Sequence, residues 1–177
     1  DAHQAFEEIR GVIAAQAAGV LTREQYRALG VRQSIFPQDE RDRLYDLFVK
    51  YREWLAQAGL VDLNLLAHER LAIAAPRYDF VAIDEVQDIT PVQLALVLAT
   101  LKKPGHFVLC GDSNQIVHPN FFSWSQVKTL FWRDEALAAK QPLAMLAANF
   151  RNGTEATRVA NALLKVVEEP PPSTVFL

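Results

Sequence analysis

Two adjacent carboxylates, Asp84 and Glu85, follow directly on the apolar run of residues 80–83. Such a run is typical of a strand buried in a parallel sheet, and ligands bind beyond the carboxyl ends of these strands. At that edge Asp84 can hold a Mg²⁺ ion, which takes only one or two protein carboxylates besides waters and substrate phosphates. Glu85 can then orient and deprotonate the water that attacks a terminal phosphate. For an isolated Asp-Glu pair a polar turn that merely ends a strand is the commoner interpretation, so the neighbouring elements must decide.

Two further apolar runs also end in polar groups. Residues 106–112 end in Asp112, with Gln115 three residues further on, and residues 143–148 lead towards Arg151. The carboxyl ends of parallel strands meet at one edge of a sheet. We therefore expect the acids, the glutamine and the arginine to lie on one side of it.

Helical patterns dominate the first third of the chain. An Ala-rich stretch covers residues 3–18, a capping box at Thr22–Gln25 opens a short helix that stops near Gly30, and a longer apolar periodicity covers residues 39–58 before Gly59. The stripe of the longest helix, which we expect to face the core, consists of Leu44, Leu47, Phe48, Tyr51, Trp54 and Leu55.

A helix start signal separates the first two predicted strands. Thr90, Pro91 and Gln93 combine an N-cap, a proline at the first helical position and a residue that closes a capping box, which predicts a helix to about Leu101. Strand, helix and strand make a βαβ unit with a right-handed crossover.

A last helix is predicted from Thr154 onward, ending before residues 170–172. Those three prolines begin a tail that we expect to be disordered. The residues expected to face inward are Ala156, Val159, Ala160, Leu163 and Leu164.

The polar boxes resemble the motifs of superfamily 1 helicases of the UvrD/Rep type. Residues 84–88, Asp-Glu-Val-Gln-Asp, resemble their motif II (the Walker B box), residues 111–118 resemble motif III, and residues 146–151 together with 160–164 resemble motif IV. Residues 59–66 are similar to the segment that leads back into the motor domain, and the boxes occur in the family's order.

This resemblance implies an α/β fold, in which a partial P-loop NTPase (RecA-like) parallel sheet with flanking helices follows an all-helical segment. It divides the chain into a helical subdomain at 1–72, the second half of the first motor domain at 73–142, the start of the second motor domain at 143–168, and a tail at 169–177.

The resemblance also implies a function, ATP-driven movement on single-stranded DNA with strand separation, and roles for single residues. Asp84 would bind Mg²⁺, Glu85 would be the general base and Gln115 would sense the γ-phosphate of ATP. The other residues implied at the nucleotide are Gln87 and Asp112 at the site, Phe150 stacked on adenine, and Arg151 against the γ-phosphate.

One departure from the family pattern is large. Phosphate cradling needs a Gly-rich loop that ends in Gly-Lys-Ser/Thr, and none of the seven glycines is followed by lysine. The chain is then either the central fragment of a helicase, inactive alone and completed by motor segments elsewhere in the polypeptide, or a non-catalytic helicase-like module that binds a protein partner or a nucleic acid. We favour the fragment, because a degenerate remnant would be expected to lose the residues at motifs II to IV.

An aromatic loop after motif III is the predicted contact with single-stranded DNA. His118 stands where the family has tyrosine, and Phe121, Phe122 and Trp124 follow it closely. Aromatic rings that stack on bases bind single strands without sequence preference. Trp124 is the best candidate, while either phenylalanine could instead pack beneath the loop.

Composition narrows the possible classes. The net charge of −3 argues against a broad electrostatic grip on DNA, and the single Cys110 excludes a disulfide framework. No apolar run reaches 18 residues, so we expect no membrane span. We expect a cytoplasmic protein, which is the usual setting of the family.

Overall fold

A computed structural model describes residues 1–112, 143–145, 153–166 and 174–176 of the protein. Its helices are α1 (Ala2–Glu8), α2 (Arg23–Arg27), α3 (Arg41–Ala58), α4 (Leu63–Leu71), α5 (Pro91–Ala99) and α6 (Thr154–Val166). Its strands are β1 (Val81–Ile83), β2 (Phe107–Gly111), β3 (Leu143–Met145) and β4 (Thr174–Phe176). This mixture of helices and strands agrees with the predicted α/β class.

The first helix is shorter than predicted. Helix α1 continues as a π-helix over Ile9–Ile13, and the chain then leaves the helical path instead of continuing to residue 18. The Leu21 N–H donates to the carbonyl of Ile13 at 2.9 Å, and Gly19 has φ +136°, a backbone conformation that favours glycine. A tertiary hydrogen bond and a turn thus end a helix that Ala-rich composition alone would extend.

The predicted signals at the next two helices are confirmed. In the capping box of α2, Thr22 N–H donates to Gln25 Oε1 at 2.9 Å and Gln25 N–H donates to Thr22 Oγ1 at 3.2 Å. Helix α3 ends at Gly59, whose φ of 65° is left-handed.

The core stripe of α3 is narrower than predicted. Leu44, Phe48 and Leu55 are buried, but Leu47 and Trp54 are exposed. These two side chains lie on the flanks of the stripe, where α1 and α2 do not cover them.

A parallel pair at one side of the sheet fits the predicted βαβ unit. Strand β1 pairs with β2 in parallel, with Val81 opposite Phe107 and Ile83 opposite Leu109. Helix α5 connects them, and Val86, Leu94, Leu101, Phe107 and Leu109 form the core beneath.

The sheet as a whole is mixed and not purely parallel. Its order is β1-β2-β4-β3, and β4 runs antiparallel to both of its neighbours. Strand β3 therefore runs in the same direction as β1 and β2. Residues 174–176 were expected to lie in a disordered tail, but Thr, Val and Phe all favour extended structure and here they form a strand.

Two faces that were predicted to be buried are exposed at the residues whose side chains the structure describes, which do not include Leu163 and Leu164. Phe80 is 59% exposed and Ala82 is also exposed, so the described elements leave this face of β1 and of the residue before it uncovered. On α6, Val159 is 54% exposed, and Ala156 and Ala160 are exposed as well. A stripe at helical spacing becomes buried only where another element covers it.

Among the helices of the described residues, none is both long and apolar enough to cross a membrane.

Candidate nucleotide-hydrolysis site

The two parallel strands bring their polar ends to one edge of the sheet. Because Ile83 lies opposite Leu109, the chain leaves β1 at Asp84 and leaves β2 at Asp112 on the same side. The structure thus brings together the acids that the sequence singled out after these two strands.

Glu85 has a strained backbone. Its φ of 52° and ψ of 43° are left-handed, and it is the only non-glycine residue with positive φ in the described part of the chain. This conformation costs roughly 1–2 kcal/mol for a residue with a Cβ atom. Strain of this kind persists where the surroundings enforce it, and it clusters at functional sites.

The strained turn is held by local hydrogen bonds. The Glu85 N–H donates to Asp84 Oδ1 at 3.0 Å, and the Asp88 N–H donates to the Glu85 carbonyl at 2.9 Å in the 3₁₀ turn Val86–Asp88. Val86 is fully buried, whereas Asp84, Glu85 and Asp88 are exposed. The turn therefore anchors one apolar side chain and presents its carboxylates to solvent.

Gln87 connects the ends of the two strands. Its side chain is 5% exposed, its Nε2 donates to Glu85 Oε2 at 2.5 Å, and its Oε1 accepts from the Asp112 N–H at 3.1 Å. One buried amide thus fixes the position of the Glu85 carboxylate relative to the end of β2.

Gly111 makes room for this bridge. A Cβ atom at Gly111 would lie 2.6 Å from Gln87 Oε1 and 2.8 Å from Val86 Cγ1. Motif III includes Gly111, but this packing role was not predicted from the sequence. The signal was available, because a glycine at the end of a strand often marks a close approach of another group.

The acids at this edge fit a magnesium ion better than a metal held entirely by protein. Across the ranges that the structure describes, no group of three or more His, Cys, Asp or Glu side chains could enclose a metal. Mg²⁺ does not need one, since it is usually bound by one or two carboxylates together with waters and phosphates. Asp84 is exposed, and only its Oδ1 takes part in the bond from Glu85.

Several predicted site residues lie outside the described residues, and their roles stay predictions. They are Gln115, His118, Phe121, Phe122, Trp124, Phe150 and Arg151.

Sequence comparison identifies the family. The UvrD/REP helicase N-terminal domain family matches residues 2–127, well over half of the chain. This chain belongs to the UvrD/REP helicase family. The match includes the edge formed by Asp84, Glu85, Gln87 and Asp112, and it confirms the resemblance to this family, while the assignment of single motifs stays a prediction.

The UvrD/REP chain also resembles part of a much larger human protein. It is 24% identical over 165 residues to the human TPR and ankyrin repeat-containing protein 1, an alignment that covers 85% of this chain and 6% of the human protein. The chain thus spans a small fraction of that relative. No solved structure matches this chain.

Proposed function

We propose that this chain is the central fragment of an ATP-dependent superfamily 1 DNA helicase, which uses ATP hydrolysis to move on single-stranded DNA and to separate strands. The observation that carries the proposal is the strained turn at Glu85. Its carboxylate is exposed at the sheet edge and tied through Gln87 to the end of β2. A helicase family match over the same residues supports this assignment.

In this proposal Asp84 and Glu85 divide the chemistry. Asp84 holds Mg²⁺, which neutralises charge on the phosphates when it is bound. Glu85 orients a water towards the γ-phosphorus and accepts its proton as the new P–O bond forms. The bond between the γ-phosphorus and the β–γ bridging oxygen breaks, so that ADP and phosphate leave.

The remaining roles follow the family resemblance. Gln115 senses the γ-phosphate, Phe150 stacks on adenine and Arg151 stabilises charge that develops in the transition state. The stacking surface for single-stranded DNA consists of His118, Phe121, Phe122 and Trp124.

The ATP phosphates need a cradle that this chain does not contain, since no glycine precedes a lysine. We therefore assign that loop to another segment of the same polypeptide. A cytoplasmic location also belongs to the proposal.

The test compares the whole protein with the 177-residue chain. We expect the whole protein to hydrolyse Mg-ATP faster when single-stranded DNA is added, and the isolated chain to show no turnover at the same concentration. Hydrolysis by the isolated chain would contradict the assignment of the phosphate loop elsewhere. A whole protein without ATP hydrolysis would contradict the motor.

The missing Gly-Lys-Ser/Thr loop favours one alternative, a non-catalytic helicase-like module that binds a protein partner or a nucleic acid. The same measurement separates the two functions. Such a module would bind single-stranded DNA or a partner protein without any ATP turnover by the whole protein.

A further inference from the structure

A buried amide outside the candidate site joins three elements. Asn64 on α4 is 1% exposed. Its Oδ1 accepts from Thr90 Oγ1 at 2.6 Å and from Gln93 Nε2 at 2.9 Å, while its Nδ2 donates to the Arg10 carbonyl at 2.7 Å. One side chain therefore connects the π-helix, α4 and the start of α5.

The π-helix explains why the Arg10 carbonyl is available to Asn64. In an α-helix the Ala14 N–H would donate to Arg10, four residues back. Here it donates to the Ile9 carbonyl at 2.9 Å, five residues back. π-Helical turns are rare and frequently occur at functional sites.

A second contact fixes the start of α5 to Ala15, just after the π-helix. The N–H groups of a first helical turn have no partner within the helix, and the Val92 N–H donates to the Ala15 carbonyl at 2.9 Å. Gln93 Oε1 accepts from the Thr90 N–H at 3.2 Å, as the predicted capping box requires. The same Gln93 side chain donates to Asn64, so Gln93 takes part both in the capping box and in the contact with Asn64.

We propose that Asn64 is a positioning residue for the hydrolysis site. Thr90 is separated only by Ile89 from the turn Val86–Asp88, which follows Glu85 and contains Gln87. By holding Thr90, Asn64 keeps this turn in a fixed position relative to the π-helix and α4. The inference rests on the proposed function of Glu85.

The asparagine amide can make all three bonds because it carries both a donor and an acceptor. Aspartate has no donor for the Arg10 carbonyl, and alanine has neither donor nor acceptor. On the α5 side, Thr90→Val removes the hydroxyl that Asn64 accepts from, whereas Thr90→Ser retains it. Substitutions at Asn64 and at Thr90 therefore test the contact between them from both partners.

The experiment measures steady-state ATP hydrolysis per folded molecule of the whole protein, with single-stranded DNA present, and hydrogen exchange of the amides of Asp88 and Ile89. For Asn64→Ala and Thr90→Val we expect kcat to fall on the order of tenfold, less than the hundredfold that a 1 Å misplacement can cause. We expect KM for Mg-ATP to change less than about twofold and exchange at the turn to accelerate. Thr90→Ser should restore both readouts, and Gln57→Ala, which removes an exposed amide on α3, is the control for loss of an amide away from Asn64.

A lower melting temperature with unchanged kcat and unchanged exchange at the turn would overturn the inference, since Asn64 would then only stabilise the fold. If Asn64→Ala fails to fold, the comparison of Thr90→Val with Thr90→Ser decides. If the wild-type protein does not hydrolyse ATP, the proposed function fails, while the exchange measurement still reports whether Asn64 and Thr90 hold the turn.

Discussion

Glu8 and Glu85 are both hydrogen-bonded carboxylates, but they lie in opposite surroundings. Glu8 is 1% exposed in the helical segment and accepts from the Tyr26 hydroxyl at 2.8 Å, from the Ser34 hydroxyl and from the Ile35 N–H at 3.2 Å. Glu85 is exposed at the sheet edge on a strained backbone and accepts from Gln87. The first carboxylate is surrounded by donors of the protein, whereas the second can meet water and substrate.

A buried cation among the N-terminal helices also has its hydrogen-bond partners within the protein, as Glu8 does. Arg41 is 2% exposed and donates to the carbonyls of Phe36, Arg27, Leu29 and Gly30. The Arg27 carbonyl lies at the end of α2, where the helix dipole favours a positive charge, and Leu29 and Gly30 follow in the loop. Arg41 therefore holds the loop after α2 in place and has a structural role.

The largest expected effect is on catalysis, at the exposed carboxylate. In the whole protein we expect Glu85→Gln to lower kcat for ATP hydrolysis by about 10²–10⁴-fold, the usual contribution of a general base. Binding of Mg-ATP should persist because Asp84 is intact, and equilibrium binding measures this. The control is Glu69→Gln, an exposed acid on α4 that should leave both quantities unchanged. Loss of nucleotide binding in Glu85→Gln would reject Glu85 as the base.

A buried polar group should instead affect stability. We expect Arg41→Met to lower the free energy of unfolding by about 3 kcal/mol, because several buried carbonyls lose their donor at once. Chemical denaturation measures this change. The matched control is Arg27→Met, which removes an exposed ion pair with Asp42 and should cost at most about 1 kcal/mol. Equal losses for the two variants would show that the carbonyl contacts of Arg41 contribute little.

Gly111 tests whether the bridge between the strand ends tolerates any added volume. Gly111→Ala places a methyl group against the buried Val86 and against Gln87, so we expect a loss of about 1–3 kcal/mol, the usual cost of overpacking. Thermal melting measures it. Gly153→Ala is the control, since a Cβ atom there meets nothing within 4 Å. A Gly111→Ala variant as stable as the control would mean that Gln87 moves aside at little cost.

The features that the sequence predicted correctly depend on residues close together in the chain. The capping box at Thr22 needs only Gln25, the end of α3 needs only Gly59, and the parallel pair follows from two apolar runs joined by a helix. Local signals of this kind can be read from residue type and spacing.

The features that it missed depend on residues far apart in the chain. Gln87 meets Asp112 across 25 positions, and Asn64 meets Arg10 across 54. The exposure of Phe80 likewise depends on which elements pack against its face of the sheet. No pattern within a single segment contains this information, so the polar edge could be predicted but not the contacts that fix it.

The smallest expected effect is an alkaline one, in the contact between α3 and the start of α4. The Tyr51 hydroxyl donates to Asp62 Oδ2 at 3.1 Å, and burial together with the Asp62 carboxylate raises the pKa of Tyr51 to about 12. A tyrosine in the unfolded chain ionises near pH 10. Because the folded pKa is the higher one, the folded state retains the proton that the unfolded state releases, so this contribution to stability is complete below about pH 10 and is lost as the pH rises towards 12.

We therefore expect Tyr51→Phe to flatten part of the fall in stability between about pH 10 and 12, measured by urea denaturation at a series of pH values. At neutral pH the same variant should lose about 1 kcal/mol, the worth of one hydrogen bond. Tyr78→Phe is the control, because that ring is about half exposed. Since Asp62 also accepts from two backbone N–H groups at the start of α4, it keeps partners when the hydroxyl is removed. An alkaline slope identical to that of the wild type would show that Tyr51 titrates alike in the folded and unfolded chains, and that its bond to Asp62 is too weak to link α3 with α4.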